Sequence, residues 1–478
     1  MTFLPGMDAS AVGARPTGDP LRSHRTSLAG RPRGGLLQLF YQSLSKIVAA
    51  AILFSATACG ISQEPNEIVV QRFFGDCRAQ YGNRTDVSAA SGECGIITTL
   101  LNKFNADNPD IKVTVSIVAW PGYNQLSAQI GAGDAPDVVT MHESAIPDFQ
   151  SRGLLEPLDE DLREVGVEPA AFTGAGLKGV LIDGQLYGLP FDTWAPLWHI
   201  NMNYFREAGL TREGRPILPS SPEELLSHAR QFRQATGKPY FVQALANQKP
   251  AYTRNFFTFL MQQDADFFAD PQRIRLQTSE ARRIVEMFRI ISAENLTTKN
   301  QDYPAATRGF MNGDGGVYLV GTWLIGDYHA ESERPNRPLS GGYTVVPFPQ
   351  LFPASDASFA DGHAWVMPVK ERTLKQRQAV FRLMKFFADN NFEWARTGHL
   401  PAFTEVIESE RFKALPHRRN IAVLATTGTP LPSGVQRQFA IQDIIGEELE
   451  SAIAGQKPVD KALADAEHRI NDLLYHLL

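Results

Sequence analysis

The chain has 478 residues, 43% hydrophobic and 21% charged, with a formal net charge of −6. That acidic balance excludes a general nucleic-acid binder. Removal of a leader leaves length for two domains, and no segment beyond residue 60 approaches the about 20 apolar residues of a membrane span.

Residues 1–35 are rich in Arg, Gly, Ser and Pro, with no apolar period. Such a stretch buries too little apolar surface to offset its ordering entropy. It reads as a disordered leader, or as the product of a misassigned start codon with the real start near Leu36 or Leu37. Residues 36–58 have the layout of a secretory signal. Lys46 precedes an apolar run over 47–55, and the run closes on Ala56-Thr57-Ala58-Cys59-Gly60. A cysteine directly after small residues marks a lipoprotein signal, so Cys59 is the expected lipidation site; Ala56 stands where that motif usually has Leu. The expected location is exported, lipid-anchored at the outer face of the cytoplasmic membrane or in the periplasm.

Cys77 and Cys94 flank a loop rich in Gly, Asn, Asp and Ser. In an oxidising compartment this pair reads as a disulfide. No His or further Cys lies nearby to make a metal site of it.

Residues 67–73 read as the first strand. Residues 95–108 read as a helix, with Ile97, Leu100, Leu101 and Phe104 at helical spacing. Residues 111–118 alternate and are β-branched, which predicts a strand. A helix over 125–131 and a short apolar strand over 137–141 follow. This order predicts an α/β layout with a largely parallel sheet. Further on, 194–202 reads as one strand. Ser220-Ser221-Pro222-Glu223-Glu224 starts a helix, with a hydroxyl cap, an early proline and acids against the dipole. Residues 278–293 carry a helical stripe of Ala281, Ile284, Val285, Phe288 and Ile291. Residues 317–320 read as a buried strand, and 375–388 and 459–478 as amphipathic helices. The stripe of the last is Leu463, Ala466, Ile470, Leu473 and Leu477.

Several segments occur in a telling order. Gly131-Ala132-Gly133-Asp134-Ala135-Pro136-Asp137 is followed by Gly153-Leu154-Leu155-Glu156-Pro157-Leu158-Asp159 and Gly184-Gln185-Leu186-Tyr187-Gly188-Leu189-Pro190. Asn203-Tyr204-Phe205-Arg206-Glu207-Ala208-Gly209-Leu210 comes next, then Arg308-Gly309-Phe310-Met311-Asn312-Gly313 leading to Gly321-Thr322-Trp323, and finally Gly398-His399-Leu400-Pro401-Ala402. Together they resemble the extracellular solute-binding proteins of ABC importers, in the branch of the maltodextrin- and glycerol-3-phosphate-binding proteins. The resemblance runs from about residue 67 to the C-terminus. It departs from the family at the Cys77–Cys94 insertion and at Gly313-Asp314-Gly315-Gly316.

The resemblance implies a two-lobed periplasmic-binding-protein-like α/β fold of type II, with a ligand cleft between the lobes and several hinge crossings. The lobes are expected at 66–190 plus 348–402 and at 191–347 plus 403–478. Crossings are expected near 189–194, 345–349 and 401–405. It also implies lobe closure on a ligand and delivery to importer permease subunits. Six Trp, many Tyr and an acidic excess fit a carbohydrate, whose C–H faces stack on rings and whose hydroxyls need donors and acceptors.

Candidate ligand contacts lie at strand ends and crossings. His142 and Glu143 follow the strand over 137–141, where related proteins place polar contacts. Asp192 and Trp194 lie on the first crossing. Trp323 follows Gly321, where the family often has a stacking Trp. Gly362 and His363 occupy a loop that touches ligand in relatives. Tyr252, near Arg254 at a helix start, is a further stacking candidate. Trp120, Trp198, Trp365 and Trp394 are expected in cores, with Trp198 sharing a face with Trp194 if that strand is regular.

The expected function is the substrate-binding lipoprotein of a carbohydrate importer, a monomer with no enzymatic activity and no cofactor. The ten His are scattered without a His-x-x-x-His pair, so no metal site is expected. Alternatives are a glycerol-3-phosphate-type, polyol or peptide cargo, a glycoside hydrolase using Glu143 and Asp192 as its carboxylate pair, or an adhesin. No repeat supports the last.

Overall fold

The computed structural model describes residues 66–246 and 249–477, so the leader, the signal segment and Cys59 lie outside the described residues. Strand β1 (Asn66–Arg72) buries Ile68 and Val70. Helix α1 (Gly92–Asp107) buries Ile96, Ile97, Leu100, Leu101 and Phe104. It crosses to β2 (Ile111–Ile117), which pairs in parallel with β1 along its whole length. Ahead of α1, Cys77 and Cys94 form a disulfide. Helix α2 (Tyr123–Gly131) then leads to β3 (Val138–His142), which is buried throughout.

β4 (Leu189–Trp194) and β5 (Pro196–Asn201) are separated by Ala195 alone, yet they belong to different sheets. The single strand expected over 194–202 is therefore two. Pro196 offers no N–H to a ladder, and its ring restricts the residue before it. Trp194 pairs with Asp361, whereas Trp198 pairs with Leu319 and Val346 in the other sheet. The two indoles share no face.

Helix α3 (Pro222–Thr236) starts as its sequence indicates. Ser221 Oγ accepts from the Glu224 N–H at 3.1 Å, and Gly237 closes the helix in the left-handed region at φ 69°. Such a cap stabilises a helix by about 1 kcal/mol. The chain continues through β6 (Phe241–Val242), α4 (Lys249–Gln262), α5 (Ser279–Ala293), β7 (Val317–Gly321) and β8 (Tyr343–Pro347). It then forms β9 (Asp361–Val366), α6 (Leu374–Asp389), β10 (Leu400–Pro401), α7 (Gln438–Ile453) and α8 (Val459–Tyr475). On α8, Leu463, Ala466, Ile470 and Leu474 are buried; Leu477 falls past the helix end and is exposed.

The first sheet has the order β10-β4-β9-β3-β1-β2, and the second β6-β7-β5-β8. The parallel sheet expected from the early alternation holds for β2-β1-β3. β9 and β10 insert antiparallel in the first sheet, and β5 runs antiparallel to both its neighbours in the second. These are the strands that arrive after the chain has crossed between sheets.

Each sheet has its own core. Ile68, Leu100, Trp365, Phe387 and Trp394 pack in the first. Phe256, Phe257, Ile441, Ile445 and Ile470 pack in the second, together with Phe348, Leu351, Phe352 and Phe359. The chain thus leaves the first sheet at Ala195 and rejoins it at Asp361. It leaves again after Pro401. The fold is a two-lobed α/β architecture of type II with a cleft between the lobes.

Candidate functional site

Three neighbouring strands of the first sheet bring one residue each into a row. His142 ends β3, His363 on β9 pairs with it, and Asp192 on β4 pairs with His363. The register then slips, because Ala364 pairs with Pro190 and leaves Phe191 over. A bulge of this kind re-aims side chains, and Pro190, which has no N–H, is tolerated at it.

Asp192 is fully buried and accepts three kinds of hydrogen bond. His363 Nδ1 lies 2.9 and 3.0 Å from its two oxygens, the His363 backbone N–H 3.2 Å away, and Trp394 Nε1 2.6 Å away. Burial pushes the carboxyl up, but His363, His399 and these donors outweigh it and hold it below the usual carboxylate range. His399 Nε2 donates to Glu93 at 2.8 Å.

Asp361 repeats the pattern one strand position away. It accepts from the Ser144 backbone N–H at 3.0 Å, the Ser144 hydroxyl at 2.6 Å and the Gly362 N–H at 2.8 Å. Burial raises this carboxyl as well, and His142 with the donors brings it below the ordinary value. Burial lowers His142 to about 4, so it is neutral, and its Nε2 accepts from Trp120 Nε1 at 2.9 Å.

Between the sheets lies a cavity of about 420 Å³, within the range of small-molecule sites. Phe73, Phe74, Glu93, Trp120, His142 and His363 border it from the first sheet's side. Trp194 stands at the crossing, and Arg254, Asn255, Tyr303, Tyr318 and Trp323 border it from the second. Trp323 meets Trp194 edge to face at 5.5 Å and donates its indole N–H to Tyr303 at 2.8 Å. Arg254 lies 4.5 Å over the Trp194 ring and donates to Gln442 at 3.3 Å. Burial lowers its guanidinium to about 10, which leaves it cationic at neutral pH. Trp194 Nε1 is buried with no partner among the described residues.

Of the eight candidates from sequence, His142, Trp194, Trp323 and His363 border the cavity. Asp192 lies one layer behind, holding His363. Glu143 and Gly362 also lie behind. A Cβ on Gly362 would meet the Glu143 carboxyl at 2.5 Å, and one on Gly179 at 1.9 Å, so the two glycines make the space that Glu143 fills. Burial, then Asp361 and Asp192, push the Glu143 carboxyl well up. Tyr252 borders a separate concavity with Arg289 and Thr297. Two residues apart on a helix point about 200° apart, so Arg254 reaches the cavity and Tyr252 does not.

Trp120 is not in a core as expected; it is 49% exposed and borders the cavity. The readable signal was its place just past β2, in Trp120-Pro121-Gly122, since ligands gather at the carboxyl ends of strands in open α/β sheets. Phe73 and Phe74, just past β1, carry the same signal. Tyr303, Tyr318 and Glu93 carry none. Trp198, Trp365 and Trp394 are buried. Asp192, His363 and His399 form the one group of three metal-ligating side chains whose donor atoms converge among the described residues, all within 4.8 Å of one another.

Residues 99–420 match the family model described as bacterial extracellular solute-binding protein. The sn-glycerol-3-phosphate-binding periplasmic protein UgpB of Salmonella typhimurium is 25% identical over 408 residues, which span 80% of this chain and 90% of that one. The protein of that name from Escherichia coli K12 is 24% identical over 412 residues, with the same coverage. Among solved structures, maltose-bound MalE3 of T. maritima superposes with a TM-score of 0.70 at 19% identity, covering 86% of this chain and 100% of that one. The cyclic alpha-maltosyl-1,6-maltose binding protein of Arthrobacter globiformis gives 0.65 at 22% identity, covering 86% and 99%.

Proposed function

The chain belongs to the bacterial extracellular solute-binding proteins, and on that premise we propose that it is the substrate-binding lipoprotein of an ABC-type carbohydrate importer. It captures a sugar or oligosaccharide by lobe closure and delivers it to the membrane permease, without chemical turnover. The observation that carries this reading is the cavity's composition. Trp120, Trp194 and Trp323 offer aromatic surface to C–H faces, while His363, Asn255 and Arg254 offer hydrogen bonds to hydroxyls. A site that pairs hydroxyls rejects analogues that leave its groups unpaired. Of the similar solved structures, one is a maltose-bound protein and another a cyclic alpha-maltosyl-1,6-maltose binding protein. Titration calorimetry with maltose and maltotriose tests the reading; saturable binding without product formation supports it, and hydrolysis of either sugar overturns it.

A second reading keeps the receptor and changes the cargo to a glycerol-phosphate or a polyol. Arg254 favours it, because a cavity-lining guanidinium suits a phosphate, and the curated relatives named above bind sn-glycerol-3-phosphate by name. The lobes divide near Ala195, Ala360 and Pro401, and the protein works as a monomer. Its export and tether rest on the signal segment and Cys59. A Cys59→Ser chain that stays with the membrane fraction as the parent does would overturn the tether.

A further inference from the structure

At the cavity wall lies a buried group of three side chains, of which only His363 borders the cavity. Asp192, His363 and His399 are 0%, 4% and 0% exposed. Asp192 and His363 face each other across the first sheet, and His399 immediately precedes β10 on the far side of β4. Asp192 Oδ1 lies 3.0 Å from His363 Nδ1 and 3.8 Å from His399 Nδ1. Bond lengths of about 2.0–2.2 Å in a tetrahedral zinc site put neighbouring donors about 3.3 Å apart; the two distances bracket that spacing, and with all three donors within 4.8 Å of one another the ion would draw the two imidazoles together.

The outer partners match as well. Metal-bound imidazoles typically give their other nitrogen's hydrogen to a carboxylate. His399 Nε2 gives its hydrogen to Glu93, and Trp394 Nε1 orients the Asp192 carboxylate from behind. With Nε2 protonated, a neutral His399 turns its Nδ1 lone pair toward an Asp192 oxygen. There the Thr322 hydroxyl, 3.3 Å away, is its hydrogen-bond partner, and a cation held between Nδ1 and the Asp192 oxygen would take the place of that bond. Asp192 and Glu93 bring two negative charges, which balance a divalent ion ligated by two neutral imidazoles. His363 also borders the cavity, which gives an ion a way in.

We propose that Asp192, His363 and His399 bind a zinc-class divalent cation. On binding, the proton on His363 Nδ1 is lost from that nitrogen and neutral His363 carries its hydrogen on Nε2, facing the cavity. His399 keeps its hydrogen on Nε2, toward Glu93. Thr322, from the segment after β7, lies 3.3 Å from His399 Nδ1, so the ion would sit where the two lobes meet.

The test uses the untagged chain in a Cys59→Ser background, so that the free thiol binds no metal. The protein is stripped with chelator, given zinc or cobalt(II), dialysed and assayed by elemental mass spectrometry and visible absorption. The proposal expects one equivalent retained and the intense cobalt bands of a four-coordinate site. Asp192→Asn and His399→Gln should lose the retained metal, Glu93→Gln should weaken binding by about 10–100-fold, and His476→Gln, at an exposed position, should change nothing. Substoichiometric metal in the parent chain overturns the proposal, as does full retention in both Asp192→Asn and His399→Gln. Should those variants fail to fold, the parent's stoichiometry and cobalt spectrum decide alone: absence of either overturns it.

Discussion

Trp120 donates its indole N–H to His142 Nε2 at 2.9 Å, yet the residue remains 49% exposed. The bond ties the edge of the indole to the cavity wall and leaves its apolar surface uncovered. His142 supports it edge-on and Phe439 at a tilt, with ring centroids 5.8 and 5.9 Å away. This is how a stacking platform is held when it must stay open to a ligand. Trp120→Ala should lower affinity for the cognate sugar by about 10-fold or more, equivalent to about 1.4 kcal/mol. The melting temperature of the ligand-free protein should hardly move, because an exposed ring contributes little to the core. Calorimetry and a thermal melt on the same sample check both halves.

Arg254 separates the two cargo readings. It is half-buried against Trp194 and hydrogen-bonded to Gln442. If the cargo is a neutral sugar, Arg254→Met costs at most the about 1.5–3 kcal/mol of a hydrogen bond to a charged group. If the cargo carries phosphate, binding of sn-glycerol-3-phosphate should vanish in the variant while any sugar binding persists. Paired titrations of parent and variant with maltotriose and sn-glycerol-3-phosphate give the answer.

Much of this arrangement was legible beforehand, and the limits have physical causes. Helix starts such as Ser221 with Glu224, and stripes such as Ala281, Ile284, Val285 and Ile291, are local patterns, and the structure reproduces them. His142 reaches the cavity because the end of a strand is where a sheet stops covering its neighbours; Gly362 and His363, expected in a loop, lie within β9, and His363 reaches the cavity beside its strand partner His142. Asp192 lies behind His363 and off the cavity wall, since sequence cannot say which of two cross-strand partners faces outward. Trp120 was assigned to a core because composition treats all indoles alike. The convergence of Asp192, His363 and His399 depends on pairings across some 200 residues that no spacing rule reaches.

His199 makes stability depend on pH. It is fully buried, Nε2 donating to the Gly321 carbonyl at 3.1 Å and Nδ1 accepting from Tyr343 at 2.8 Å. Burial lowers it to about 3, against about 6.5 in an unfolded chain. Below about pH 6.5 the unfolded state takes up a proton that the native state refuses. The stability from this group is complete above that pH and falls by about 1.4 kcal/mol per unit as pH drops toward 3. His417, lowered to about 4 by burial and by His329, adds a contribution of the same sign. Urea midpoints measured from pH 7 to pH 5 should decline in the parent and decline less steeply in His199→Gln.

The disulfide bounds a segment that the rest of the protein also holds. Arg396 donates to the carbonyls of Val87, Ser88 and Ala90 at 2.8, 3.0 and 2.8 Å. Cys77 and Cys94 are 17 residues apart, and closing a loop of that size is worth about 3 kcal/mol on the chain-entropy model. A Cys77→Ser, Cys94→Ser double variant should lose about that much in urea unfolding and still fold. The parent under reducing agent should approach the same midpoint. Equal midpoints with and without reductant would remove the disulfide from the account.

The most direct test is a thermal-shift titration of the exported protein with mono-, di- and trisaccharides beside sn-glycerol-3-phosphate. A ligand at about 100 times its dissociation constant adds about 2.7 kcal/mol to the bound form. The account predicts such a shift for at least one saccharide, which is recovered chemically unchanged. No shift with any saccharide while sn-glycerol-3-phosphate gives one, or recovery of cleaved sugar, would contradict it.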